Sequence, residues 1–215
     1  MTRFFTALFM CAAASLASPA MAKTPGQDMG QAWMDEFGMT RPPVGYIRMC
    51  RQAPEWCDEQ RSDRSGQVVV LGEADLAELT EINLEVNRTV TPVTDLDLYG
   101  EMEVWTFPSG YGDCEDYVLL KRHMLIERGW PAEVLMITVV RQSNGEGHAV
   151  LTVATDQGDL ILDNQTDAIL PWHATDYAYE KRQSPMASGA WVWLRTDRPG
   201  AQMPEVAASY GSAHR

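Results

Sequence analysis

The hydrophobic pattern of this 215-residue chain changes period at Pro131, and that change limits the class of fold. Before Pro131, apolar residues recur at helical spacing over 73–88 and again over 115–128, and Gly129 then ends the second helix. After Pro131, short apolar runs separated by turn residues are typical of β-strands. Helices followed by an antiparallel set of strands predict an α+β fold in one domain. The predicted strands cover 134–140, 148–154, 160–163, 177–181 and 191–194.

The N-terminal residues have the three parts of a secretory signal peptide. Arg3 supplies a positive charge, residues 4–17 are apolar, and residues 18–22 end in the small-residue pattern that signal peptidase cuts. No later stretch approaches the roughly 18 apolar residues of a membrane helix, so we expect an exported protein without a direct membrane anchor. Residues 23–43 are rich in Gly, Pro and Met, which predicts a loose lead-in. The predicted parts are a signal peptide over 1–22, a domain over 23–198 and a flexible tail over 199–215.

Acidic residues outnumber basic residues by 30 to 17, which gives a net charge of −13. Nucleic acid and anionic membrane surfaces repel such a chain, so neither is expected as a main partner. The same balance is compatible with cation binding, although an acidic surface commonly serves solubility alone.

Removal of the signal peptide takes Cys11 with it and leaves three cysteines, Cys50, Cys57 and Cys114. An odd number of cysteines in an oxidising compartment leaves one thiol unpaired. Cys50 and Cys57 lie seven residues apart around Pro54, so a local disulfide is the simplest pairing. A metal site is less favoured there because no second Cys or His pair has the matching spacing. Cys114 is then the free thiol, and it is either a small buried side chain or a nucleophile.

Three positions together indicate thiol chemistry. Cys114 lies at the predicted start of a helix, where the helix dipole and the free N–H groups favour a thiolate over a thiol. His148 on one strand could take the thiol proton, and Asp163 at the end of the next could orient the imidazole. The alternative is a structural histidine and a strand-ending aspartate, which is the commoner role of each residue taken alone.

The register of the hairpin between the two strands decides whether His148 and Asp163 can meet. Paired residues in an antiparallel hairpin have numbers with a constant sum, and sums of 311 and 313 both place the two side chains on one face. Diagonal neighbours, as in the 313 register, lie roughly 7–8 Å apart at the backbone, within reach of His and Asp. A sum of 315, with its turn at Gln157–Gly158, separates the pair, and the glycine slightly favours that turn.

The segments YGDCEDYVLLKR, GHAVLTV and GDLILDNQTD, followed by LPW and YAYEKRQSP, resemble the bacterial transglutaminase-like cysteine proteinases. The LapG-type periplasmic proteases are the best-described branch of that family, and the resemblance extends from about Pro42 to Leu194. It implies a papain-like fold of the transglutaminase type, in which the nucleophile heads a helix that packs on an antiparallel sheet. The family's Cys-His-Asp triad corresponds to Cys114, His148 and Asp163.

The resemblance also implies calcium, bound by the acids beside the nucleophile: Asp113 and Glu115, with Asp116 nearby. Carboxylates next to a cysteine raise the pKa of its thiol, whereas a bound Ca²⁺ would neutralise them and order the loop before the helix. Asn83 and Asp95 are weaker candidates for further ligands. The residues alone favour another interpretation, in which the acids simply suit a helix N-terminus.

The function implied by the resemblance is that of an exported, periplasmic thiol endopeptidase that hydrolyses a peptide bond in a cell-surface or periplasmic protein. A large biofilm adhesin is the candidate substrate, and an inner-membrane receptor is the candidate regulator. Two alternatives stay open: a catalytically silent binding protein with the same fold, and an enzyme that transfers the acyl group to an amine, because hydrolysis and transfer share an acyl-thioester intermediate.

Overall fold

The computed structural model describes residues 32–57, 68–186 and 189–195, so the predicted signal peptide over 1–22 and the predicted tail over 199–215 lie outside the described residues. Within these ranges the chain forms four α-helices and nine β-strands, with three single 3₁₀ turns between them. The helices are α1 (Val44–Gln52), α2 (Glu73–Thr89), α3 (Asp95–Tyr99) and α4 (Cys114–Glu127). The strands are β1 (Asp35–Thr40), β2 (Thr91–Pro92), β3 (Tyr111–Gly112), β4 (Leu135–Arg141), β5 (Gly147–Thr155), β6 (Gly158–Leu162), β7 (Leu170–Pro171), β8 (Ala178–Gln183) and β9 (Trp191–Arg195).

Seven strands form one antiparallel sheet in the order β1-β9-β8-β4-β5-β6-β7. The short strands β2 and β3 form a separate parallel pair just before α4. Helices packed on an antiparallel sheet confirm the predicted α+β class. None of the helices in the described ranges is both long enough and apolar enough to cross a membrane.

Helix α4 packs on one face of the sheet, helix α2 packs on α4, and residues of both helices and the sheet form the main core. On α2, Leu79, Ile82 and Val86 recur at helical spacing and are fully buried. Burial of an aliphatic side chain of this size contributes about 1.5–3 kcal/mol. Helix α4 packs on β5, and this contact brings the first residue of α4 beside the start of β5. The sheet residues in this core include Leu135, Ile137, Ala149, Leu151 and Val153.

The prediction of a loose lead-in over 23–43 is wrong for residues 35–40, because these residues form strand β1. Its residues are mostly exposed, so it lacks the alternating apolar pattern that identifies a strand from sequence. The strand exists because it pairs with β9 along the edge of the sheet, with Phe37 opposite Trp193. Tertiary pairing of this kind overrides weak local propensity.

The hairpin of β5 and β6 pairs Thr155 with Gly158, which is the 313 register. The slight preference for 315 is therefore wrong. Gly158 has a φ of 121°, and a Cβ at this position would lie 2.4 Å from the carbonyl oxygen of Ala32. A glycine is therefore needed at this position because the backbone of Ala32 passes close to it, and not because Gly158 lies within the two-residue turn. In this register His148 and Asp163 are diagonal neighbours on one face of the sheet.

The structure contains the predicted disulfide between Cys50 and Cys57. It joins the end of α1 to the following 3₁₀ turn, where Trp56 packs edge-on against Phe107 with ring centroids 4.7 Å apart. Cys114 is the free cysteine among the described residues.

Replacing Cys50 and Cys57 with alanine should lower the free energy of unfolding by about 2 kcal/mol, because the closed loop is short and constrains the unfolded chain little. Urea denaturation of the wild type and the double variant measures this difference. Peptide mapping of the native protein without reductant should find the 50–57 crosslink. A crosslink that contains Cys114 would contradict both the pairing and the availability of the third thiol.

Candidate active site

Cys114 is the first residue of α4 and is half-buried. The side chain of the preceding Asp113 makes no capping hydrogen bond to this helix and accepts instead from the backbone N–H of Asp95, at 3.1 Å. The backbone N–H of Ala149 is close enough to the sulfur of Cys114 to oppose the rise in the pKa of the thiol. Because Ala149 follows His148 in β5, the thiol lies near the end of the strand that carries the histidine.

His148 and Asp163 form a buried pair. Nε2 of His148 lies 2.9 Å from Oδ1 of Asp163, and the two side chains are 2% and 3% exposed. Burial alone would raise the pKa of Asp163, but the hydrogen bond and charge of His148, together with the hydroxyl of Tyr177, hold that pKa below its usual value. An ionised Asp163 accepts from Nε2–H, which leaves Nδ1 of His148 as the ring nitrogen that can exchange a proton with a thiol.

The Cys114 thiol donates its hydrogen bond to Oε2 of Glu115, at 3.2 Å. Within the described part of the chain, no hydrogen bond joins the thiol to the His148 ring. Burial, followed by the charge of Glu115, raises the pKa of Cys114 well above its usual value. A thiol held by a carboxylate in this way is a weak nucleophile, and a positive charge nearby would restore its acidity.

Three carboxylates lie beside the nucleophile. One oxygen from each of Asp95, Asp113 and Asp116 lies within 4.8 Å of the others. Each of the three also has a buried carboxylate oxygen that accepts no hydrogen bond from the described residues. Their remaining oxygens accept hydrogen bonds from backbone N–H groups, including those of Val104 and Thr106.

Burial and the charges of its neighbours raise the pKa of Asp116 to about 7. Unpaired buried carboxylate oxygens are costly, and oxygen donors of this kind are the ligands that Ca²⁺ prefers. The cluster therefore fits a divalent cation.

The cluster contains two of the three predicted metal ligands, Asp113 and Asp116, together with Asp95, one of the two weaker candidates. Glu115 lies next to this cluster. Burial and the charge of Asp113 raise the pKa of Glu115, and its carboxylate accepts the hydrogen bond of the Cys114 thiol. Gly112 makes room for the cluster, because a Cβ there would lie 2.5 Å from Oδ2 of Asp116.

Asn83, the other weaker candidate for a metal ligand, lies in a different network. Its amide donates to the backbone oxygens of Thr166 and Asp167, at 3.4 and 3.1 Å. One turn later on α2, the amide of Asn87 donates to the backbone oxygen of Asp163, at 3.0 Å. These two asparagines support the loop that carries Asp163. In the sequence, the feature that could have indicated this supporting role is the spacing of Asn83 and Asn87, four residues apart on a mostly apolar helix face.

Lys121 was also missed by sequence reasoning. It lies two turns along α4 from Cys114 and is 1% exposed, and its Nζ has no hydrogen-bond partner among the described residues. Burial lowers its pKa to about 7, opposed by the charges of Asp163 and Asp167. A lysine seven positions after the nucleophile, on the buried side of the helix, is the feature that could have drawn attention to it.

The chain matches the model of the family described as bacterial transglutaminase-like cysteine proteinase over residues 36–199. It is also similar to solved structures of Legionella pneumophila LapG. The calcium-bound form is 24% identical, with 60% of this chain and 75% of that chain covered and a TM-score of 0.48. The EGTA-treated form is 24% identical, with 62% and 74% covered and a TM-score of 0.47. A comparison with curated protein sequences gives no match. Because the family model spans about three quarters of its length, the chain belongs to the bacterial transglutaminase-like cysteine proteinase family.

Proposed function

We propose that this cysteine protease is an exported endopeptidase that hydrolyses a peptide bond through Cys114, His148 and Asp163. The observation that carries the proposal is the buried His148–Asp163 pair at the start of β5, where the backbone N–H of Ala149 lies near the Cys114 sulfur. A nucleophile, a base and a group that orients the base are the parts that thiol hydrolysis requires.

In the proposed reaction, His148 takes the proton of Cys114, and the thiolate attacks the carbonyl carbon of the scissile bond. The imidazolium then protonates the leaving amine, which leaves an acyl-thioester on Cys114. His148 next removes a proton from water, and the resulting hydroxide releases the acyl group as a carboxylate. Asp163 stabilises the imidazolium in both halves of the reaction and keeps Nδ1 directed to the reacting groups.

We also propose that Asp95, Asp113 and Asp116 bind Ca²⁺, with Glu115 as a further ligand once its hydrogen bond to the thiol is released. Bound Ca²⁺ would neutralise these carboxylates and thereby lower the pKa of the Cys114 thiol. The unpaired buried oxygens of the three aspartates support this proposal, as does the preference of Ca²⁺ for carboxylate ligands.

A protease of this family acts on a protein substrate. We infer that this substrate is a cell-surface or periplasmic protein, and the disulfide supports an oxidising compartment of this kind. A large adhesin as substrate and an inner-membrane receptor as regulator are proposals that rest on the LapG-type branch of the family.

The mass of the products distinguishes hydrolysis from acyl transfer. A peptide library should be incubated with the calcium-loaded protein in water enriched in ¹⁸O, with and without a primary amine. Hydrolysis predicts cleaved peptides that carry ¹⁸O at the new carboxyl group, with and without the amine. Amine-modified peptides without cleavage would support acyl transfer instead, and the absence of any product from wild type and Cys114→Ala alike would support a silent binding protein.

A further inference from the structure

Tyr177 contacts both members of the His148–Asp163 pair. Its hydroxyl donates to Oδ2 of Asp163 at 2.5 Å, while Oδ1 of the same carboxylate faces Nε2 of His148 at 2.9 Å. Its ring also lies against the imidazole, with centroids 5.4 Å apart and an interplanar angle of 51°. Each oxygen of Asp163 therefore has its own side-chain partner, and one face of the histidine has an aromatic neighbour.

A carboxylate that orients a histidine has to be oriented itself. Rotation about its last bond would exchange the two oxygens and weaken the bond to Nε2. The hydroxyl of Tyr177 opposes this rotation by binding Oδ2, and the backbone N–H of Gln165 does so by donating to Oδ1 at 3.1 Å. Supporting hydrogen bonds of this kind hold a reactive group close to its productive geometry.

Tyr179 shows how a purely structural tyrosine differs at nearly the same place. It lies two residues later in β8, is 3% exposed, and its hydroxyl bonds Oγ1 of Thr175 and the backbone oxygen of Trp172. It is a buried member of the smaller core with Val140 and Val150, against which Tyr177 also packs. Its contacts anchor the start of β8, whereas the hydroxyl of Tyr177 binds a carboxylate of the proposed site.

We propose that Tyr177 is a positioning residue that acts through Asp163 to keep the His148 ring in the orientation that exchanges a proton with Cys114. This inference rests on the proposed function, because it assigns Tyr177 a role in activating the thiol. Its hydroxyl fixes the carboxylate, and its ring lies against the imidazole.

The test is Tyr177→Phe, which keeps the ring and removes the hydroxyl, with Tyr179→Phe as the matched control. The rate of Cys114 alkylation by iodoacetamide, in calcium and at constant pH, needs no knowledge of the natural substrate. Tyr177→Phe should react about tenfold more slowly, because it loses a hydrogen bond to a charged group. In proton NMR, the low-field signal of the His148 ring N–H should shift or broaden in the same variant.

Tyr179→Phe should lower the thermal midpoint while it leaves the alkylation rate and the His148 signal unchanged. The inference is overturned if Tyr177→Phe reacts at the wild-type rate with an unchanged signal, or if Tyr179→Phe has an equal effect on both. Failure of the proposed function would differ from either result: wild type and His148→Ala would then alkylate at the same rate.

Discussion

Cys114→Ala is expected to abolish peptide-bond hydrolysis, with a loss of roughly 10⁵–10⁶-fold in kcat, the size seen when a hydrolase loses its nucleophile. Alanine offers no atom that can form the acyl intermediate. The fold should persist, because Cys114 is half-buried at a helix start, where alanine is compatible with helical backbone. Hydrolysis of a cleavable protein measures the loss, and circular dichroism with the thermal midpoint measures the fold.

The double replacement of Cys50 and Cys57 with alanine is the matched control, because it removes the other two cysteines of the described chain. This variant should be less stable but should still hydrolyse the substrate at a temperature well below its midpoint. Retained cleavage by a well-folded Cys114→Ala variant would remove Cys114 from the mechanism.

Removal of calcium is expected to lower both activity and stability. A ligand that binds only the folded state at 100 times its Kd stabilises that state by about 2.7 kcal/mol. For a chain of this size we therefore expect a rise of roughly 5–10 °C in the thermal midpoint when saturating calcium replaces chelator. Asp95→Asn combined with Asp113→Asn should abolish this rise, because it removes two of the three clustered carboxylates. Asp97→Asn, on the exposed side of α3, is the control and should keep the rise.

The calcium effect should also depend on pH. Burial and like charges raise the pKa of Asp116 to about 7 in the folded protein, above the usual value of an aspartate. The folded state then holds a proton that the unfolded state has lost, so stability in chelator should fall as the pH rises from about 4 through about 7. The rise in midpoint with calcium should accordingly be larger at pH 8 than at pH 5. Equal midpoints with calcium and chelator at both pH values would contradict cation binding at this cluster.

Local pattern was enough to predict the elements that carry the proposed site. Helical spacing identified α2 and α4, and the glycine-containing loop before Cys114 predicted a helix start at the nucleophile. The parity of the hairpin placed His148 and Asp163 on one face in the 311 and 313 registers alike, so the choice between those two did not affect the pairing. The choice of 315 failed because Gly158, which suggested a turn at that position, instead lies close to the backbone of Ala32, more than 100 residues away.

Other parts of the site form only through tertiary contacts, which explains why sequence reasoning missed or underrated them. Asp95 joins the acidic cluster because its N–H donates to Asp113, 18 residues later, after α3 and β3 have folded back on the chain. Tyr177 reaches Asp163 from the residue just before β8, and Lys121 is buried because α4 packs on the sheet. The spacing of Asp95 and Tyr177 along the chain gives no sign of these contacts, whereas the position of Lys121 on the buried side of α4 does.

The most direct measurement of the central claim is the reaction of the calcium-loaded protein with a peptidyl vinyl sulfone, which labels activated thiols, followed by intact mass and peptide mapping. We expect one adduct, on Cys114. In His148→Ala this adduct should form at least about 100-fold more slowly, because general-base catalysis accelerates a reaction by that factor or more. No adduct on Cys114, or equal rates in wild type and His148→Ala, would contradict the claim that Cys114 and His148 act as one catalytic unit.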